Sequence, residues 1–160
     1  MIEVLLFTDG SVNTKTNAGY GAYLIVTEKS IPLESLKAGI KVRTFENTTS
    51  TKLELQTLLW ALSEIELSGR KVIIYTDSQN IIGLPERRER FEKTDYHSKN
   101  NRKITNAELY KEFYHITDQL ECEFVKVQGH QRSKQKDEIA RIFTLVDRAS
   151  RKALRAFKKQ

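Results

Sequence analysis

Residues 4–11 read VLLFTDGS and residues 72–79 read VIIYTDSQ. Each stretch runs valine, two aliphatics, an aromatic, threonine, aspartate and then a small residue, so one template is used twice. Short continuous apolar runs of this kind suit strands covered on both faces, as parallel neighbours in an α/β sheet are. Laid side by side, the two strands bring Asp9 and Asp77 level. Open α/β sheets place their chemistry just outside the carboxyl ends of such strands, which makes the two acids a candidate site.

Working outward from the first strand, the polar segment Ser11 to Gly19 predicts a turn, and Tyr20 to Val26 a strand folding back as a hairpin. Pro32 and Gly39 break the chain before Ile40 to Phe45, which alternates as a third strand. Leu55, Leu58, Leu59, Leu62 and Ile65 form one stripe of a long helix, stopped by Gly69. That helix joins the meander to the second template strand by a right-handed crossover, the geometry expected for parallel neighbours. Beyond Asp77 a short helical turn is predicted, ended by Pro85. Residues 86–103 carry seven basic and four acidic residues and read as a charged insertion, a solvated loop or frayed helix. A helix opens near Asn106, Glu123 to Gln128 alternates as a strand, and a final amphipathic helix points Ile139, Ile142, Phe143, Val146, Ala153 and Phe157 inward. The expectation is an α/β chain with a five-stranded mixed sheet in βββαβαβα order, forming a single domain over residues 1–160.

The chain has 160 residues, enough to bury a core without disulfides or a structural metal. Its 27 basic and 21 acidic residues leave a net charge of +6, which permits a polyanionic partner without proving one. Cys122 is the single cysteine, which excludes an internal disulfide and suits a reducing compartment; its strand-like setting suggests a packed thiol. The longest apolar runs, among them Leu58 to Leu62, are far short of the roughly 20 residues of a membrane span. The N-terminus has no basic segment before its first strand, so no secretory signal is expected and a cytoplasmic protein is.

Each acid has an ordinary structural explanation. Asp9 could open an Asp-Gly turn, and Asp77 could cap the helix that follows it. Glu54 completes the capping box Thr51-Lys52-Leu53-Glu54, yet it also borders the buried stripe of a helix packed over the paired strands. Asp147 lies on the apolar border of the last helix, four residues before Arg151, its candidate ion-pair partner. Capping would not require two acids from one template at one sheet edge, where like charges repel. If all four converge, they imply hard, oxygen-preferring cations, for which Mg²⁺ fits best. The three histidines are scattered and offer no zinc site. Two Mg²⁺ ions about 3.5 to 4 Å apart could clamp a phosphodiester for hydrolysis, with Mn²⁺ as a possible substitute.

With these residues assembled, the chain resembles type 1 ribonuclease H, an endonuclease that cuts the RNA strand of an RNA:DNA hybrid. The resemblance is carried by FTDGS around Asp9, GYGAYL after the first turn, TTSTKLELQTLLWAL around Glu54, YTDSQ around Asp77, VQGH at His130 and VDRASRKAL around Asp147. It implies the RNase H-like fold and two-metal-ion hydrolysis, with Asp9, Glu54, Asp77 and Asp147 holding the metals. It also implies that His130, on a mobile loop, assists proton transfer or product release. Thr49, Asn106 and Arg151 match a phosphate-binding trio, and Ser50, Thr51 and Gln79 match positions that touch the hybrid. The family commonly has Asn where Ser50 and Thr51 stand here. The run RSKQKDEIARIFTL makes the spacing from His130 to Asp147 longer than is usual in the family.

An RNA:DNA hybrid is therefore the expected partner, with no membrane and a monomeric chain. Its recognition would rest on 2′-hydroxyls and backbone phosphates, with little sequence preference and a steep loss of affinity with salt. Two alternatives stay open: a catalytically inactive hybrid-binding module, and another nuclease of the same fold acting on DNA.

Overall fold

The computed structural model describes residues 2–27, 31–66, 69–128 and 137–158. Its centre is β1 (Ile2–Asn13), flanked by β2 (Ala18–Val26) on one side and β4 (Arg70–Thr76) on the other. β3 (Lys41–Phe45) and β5 (Glu121–Lys126) complete a sheet of order β3-β2-β1-β4-β5. The meander β1-β2-β3 is antiparallel, whereas β1-β4 and β4-β5 are parallel, giving the mixed sheet expected. Every β1–β4 pair, from Ile2 with Arg70 to Phe7 with Tyr75, is 68 residues apart in the chain. The same offset carried two residues further sets Asp9 level with Asp77.

Strand residues alternate between two cores, as their pleat requires. Leu6, Val72 and Ile74 face a layer built from α2 (Ser50–Glu64) and α5 (Ala107–Asp118). Leu5 and Phe7 face the opposite layer, built from α1 (Leu33–Ala38) and α6 (Glu138–Lys158). Asp9 and Ser11 continue the odd-numbered register of Phe7 and so point toward α6. Gly10 continues the register of Leu6 and points toward α2.

Three small residues let α2 lie unusually close to the sheet. A Cβ added at Gly21 would stand 2.1 Å from the Thr57 hydroxyl, and one at Gly10 or Gly19 would stand 2.8 Å from Leu53 Cδ2. Only hydrogen at these positions allows the helix its seat. The residue between Leu53 and Leu55 is Glu54, so the same close approach draws its backbone to the sheet edge.

Several expectations require correction. β1 does not stop at Asp9; it runs to Asn13, and Asp9 pairs with Ala22 inside the hairpin. The turn instead falls at residues 14–17, where Asn17 takes φ 59°. The helix α1 was not anticipated: its six residues are too few to show a period, and Leu36 alone is buried. Residues 86–103 divide in two: 86–93 are an ordered helix, whereas 94–103 form the solvated loop expected, anchored by Tyr96. Pro85 lies in the first turn of α4 (Leu84–Lys93), where its missing N–H costs nothing, and does not end the short α3 (Gln79–Ile82). Leu84, Phe91 and Tyr96 are buried, with Phe91 stacked 5.3 Å from Tyr110. Arg88 ties α4 to α5 through a two-pronged bond to Asp118, one arm of it 2.8 Å long. Finally, the inward stripe of α6 ends near Ser150. Phe157 is 47% exposed and Ala153 half-buried, because this end of the helix runs out past the sheet.

Candidate active site

The edge formed by the carboxyl ends of β1 and β4 is reached by four acids, each from a different element. Asp9 is a strand residue only 8% exposed. Burial pushes its carboxyl up to about 9, helped by a hydrogen bond with Asp147 and by the charges of Asp77 and Asp147; the Gly10 backbone opposes the rise. At neutral pH, Asp9 therefore keeps its proton and donates it to the Asp147 carboxylate. That proton relieves a repulsion that two bare anions at contact could not sustain.

Asp77 follows the last residue of β4. The cap of α3 is not Asp77 but Ser78, whose hydroxyl accepts from the Ile81 N–H at 3.2 Å. The same hydroxyl donates to Glu54, whose carboxyl is nevertheless held above its usual range by burial and by the Asp77 charge. Glu54 is likewise released from the capping box. The cap of α2 is Thr49, whose side chain accepts from the Lys52 N–H at 3.2 Å, so the cap falls two residues before Thr51. Asp147 does make the ion pair anticipated for it, with Arg151 Nε at 3.0 Å, while also touching Asp9.

The four acids are thus linked in one chain of contacts and charges. Among the described residues no three carboxylates close on a single point that would hold a metal as the side chains stand.

The other sequence-derived positions are spread more widely. Thr49 is occupied as the α2 cap, and Ser50 and Thr51 follow it, exposed in the first turn. Asn106 precedes α5 with φ 68°, and its side chain makes no capping bond. It lines a cavity of about 370 Å³ with Lys52 and Lys103. Arg151 lies on α6 across the sheet, lining a different cavity beside α1 and β3. The structure therefore does not bring Arg151 together with Asn106. Gln79 is exposed, its side-chain oxygen accepting from Lys126 Nζ at 2.8 Å. His130 lies outside the described residues.

Two contributors escaped sequence reasoning. Ser78 joins Glu54 to the end of β4, and the signal for it was a serine three residues before an apolar helical residue. Ser150 is fully buried, with its hydroxyl 3.0 Å from that of Ser11 and donating to the Asp147 carbonyl at 2.9 Å. The signal for Ser150 was its spacing, four residues after Val146 and seven after Phe143, on the inward stripe of the last helix.

A family model, RNase H, matches residues 2–153. The chain belongs to the RNase H family. Among its relatives, the Ribonuclease H of Wolbachia pipientis wMel is 28% identical over 153 residues, 95% of each chain. That of Neorickettsia sennetsu is 24% identical over 158 residues, covering 98% of this chain and 96% of the other. That of Syntrophomonas wolfei is 24% identical over 133 residues, covering 81% and 86%. The match spans β1 through most of α6, so all four acids fall within the RNase H region. Among the described residues, no helix is long and apolar enough to cross a membrane.

Proposed function

We infer that this chain is an endoribonuclease that hydrolyses the RNA strand of RNA:DNA hybrids, with Asp9, Glu54, Asp77 and Asp147 as its catalytic carboxylates. The observation that carries the reading is the gathering of these acids from β1, α2, the end of β4 and α6 at one sheet edge, with Asp9 buried and driven to keep its proton. Family membership supports the substrate class.

An all-oxygen donor set with one nearly buried carboxyl suits a hard divalent cation. Asp9, Glu54, Asp77 and Asp147 would hold two Mg²⁺ ions, with Mn²⁺ a substitute. Bound there, such ions supply charge for the scissile phosphate and lower the pKa of the attacking water. The chain's own residues set the stage. Asp9 would hold the metal as its carboxylate, Ser78 orients Glu54, and Ser150 fixes the turn of α6 that presents Asp147. Thr49, Ser50, Thr51, Gln79 and Asn106 lie along elements that open at this edge and would meet the hybrid backbone; His130 would assist proton transfer or product release.

The test is cleavage of a labelled RNA:DNA hybrid, compared with duplex RNA and duplex DNA, in Mg²⁺, in Mn²⁺ and without metal. Metal-dependent cutting of the hybrid's RNA strand is expected, abolished by Asp77→Asn while hybrid binding persists. Hybrid binding without cutting in either metal would indicate a binding module, and preferential cutting of duplex DNA would indicate a different nuclease.

A further inference from the structure

The cations of the last helix do not form a featureless solvated face. Arg148, Lys152 and Arg155 recur at helical spacing and line a groove of about 790 Å³, whose opposite wall includes Lys37 of α1. Ile40, Val42 and Ala149 supply apolar lining between them. From Arg148 to Lys158, α6 holds five basic residues and no acid. Among the described residues, ion pairing at this end of α6 is confined to Arg151 with Asp147.

Cations near a helix C-terminus are favoured by its dipole, but that effect fades within the last turn, and Arg148 lies almost three turns from the end. Like charges at i, i+3 and i, i+4 spacing repel. Concentrating them along one groove raises its positive potential and suits an anionic occupant. Asp147, which contacts Asp9, also lines the groove. The groove is therefore continuous with the catalytic edge, on the layer of the sheet opposite α2 and Asn106.

We propose that this groove, between the C-terminal half of α6 and the α1–β3 edge, holds the phosphate backbone of a single-stranded nucleic-acid extension leaving the catalytic site. The inference rests on the nuclease reading above. Two features favour a single strand over a duplex or an acidic protein. The cations follow the line of the groove, as successive phosphates would. The groove also opens onto the site where a nucleic-acid strand is held for cutting. Its lining contains no aromatic ring on which bases could stack, so the grip is on the backbone and tolerant of sequence.

The experiment measures binding by fluorescence anisotropy in EDTA, where no cleavage occurs. The probes are a blunt RNA:DNA hybrid and the same hybrid carrying RNA or DNA overhangs at either end. Wild type is expected to bind one overhang polarity about 5- to 10-fold more tightly than the blunt hybrid. Its salt dependence should steepen by about 2 in log–log slope if three more phosphates are held, at about 0.7 each. Lys152→Gln with Arg155→Gln should abolish that preference while leaving blunt-hybrid affinity and Mg²⁺-dependent cleavage unchanged. Arg70→Gln with Lys71→Gln removes the same charge at the far end of β4 and should preserve the preference.

Equal affinity of wild type for blunt and overhang probes would overturn the proposal, as would equal losses in the two double variants. Displacement of the overhang by a poly-glutamate peptide of equal charge at equal concentration would also overturn it, in favour of an acidic protein partner. If wild type cuts no hybrid yet prefers overhangs, the nuclease reading fails while the groove assignment survives.

Discussion

The two helices that carry acids to the sheet edge are held there in different ways. α2 is placed by backbone proximity: Gly10, Gly19 and Gly21 remove every Cβ that would keep Leu53 and Thr57 off the sheet. α6 is placed by side chains: Ile142, Phe143 and Val146 pack on Leu5 and Phe7, and the buried Ser150 bonds to Ser11. Glu54 therefore inherits its position from sterics with little tolerance. Asp147 inherits its position from an apolar contact that can adjust and from a few polar bonds. The first arrangement should fail abruptly under small changes, and the second by degrees.

Gly21→Ala is the sharpest way to break the α2 side. Thr57 cannot swing clear, because it is β-branched within a helix and its hydroxyl donates to the Leu53 carbonyl at 2.7 Å. Overpacking of this kind costs about 1 to 3 kcal/mol, and each kcal/mol lowers Tm by about 2 to 4 °C in a chain of this size. Cleavage should fall further than the lost stability explains, since Glu54 moves with the helix. Adding Thr57→Ala should restore part of both, measured by thermal melts and single-turnover cleavage. A fully stable and fully active Gly21→Ala protein would show that α2 is not seated by this contact.

The same contrast explains what the sequence made legible. The twinned strands were readable because their order is written locally in VLLFTD and VIIYTD, and the parallel register sets their acids level. The roles of the acids were not readable, because competing signals lay within two residues of one another. Asp9-Gly10 looks like a turn, but Gly10 is there to admit Leu53. Thr51 and Glu54 look like a capping box, but Thr48 is buried and bonded through its hydroxyl to Gln56, which starts the helix at Ser50 and gives the cap to Thr49. Ser78 takes the cap that Asp77 could have filled. In the two capping cases the local motif was real and a neighbour fulfilled it. Charge misled in residues 86–93, where a count of ions hid a helix anchored by Phe91. On α6, a regular apolar stripe hid the fact that the helix outruns the sheet.

A second way to sharpen the comparison is the charge on Asp9, which lies between the two helices. In the metal-free protein its folded-state pKa is raised to about 9 from an ordinary value near 3.8. Between those values the folded state holds a proton that the unfolded state has lost, so stability falls as pH rises across that window. Asp9→Asn removes the linkage and should stabilise the metal-free protein at pH 8, by on the order of 1 kcal/mol or about 2 to 4 °C in Tm. The variant should gain less at pH 5 and cut no hybrid at either pH. Adding Mg²⁺ should raise the Tm of wild type more than that of the variant. A variant less stable than wild type at pH 8 without metal would mean that Asp9 is not crowded by its neighbours.

The smallest effect is expected at Arg151, where the α6 side can be loosened without touching its core. Its ion pair with Asp147 is half exposed, and such i, i+4 pairs contribute about 0.3 to 0.5 kcal/mol, so Arg151→Ala should barely move the melting temperature. Its effect on divalent binding separates two accounts of the site. If Ser150 and the apolar contacts position Asp147, Arg151 only competes with the cation for the carboxylate. Its loss then tightens Mg²⁺ binding by up to about 1 kcal/mol, or roughly 5-fold, at low salt and less as salt screens the charge. If the guanidinium is what holds Asp147 toward Asp9, its loss weakens Mg²⁺ binding instead. Titration calorimetry of the variant beside Ser150→Ala distinguishes the two, because the serine change should weaken binding under the first account and leave it unchanged under the second. The sign of two small shifts thus decides whether α6 is seated by its buried face or by its exposed ion pair.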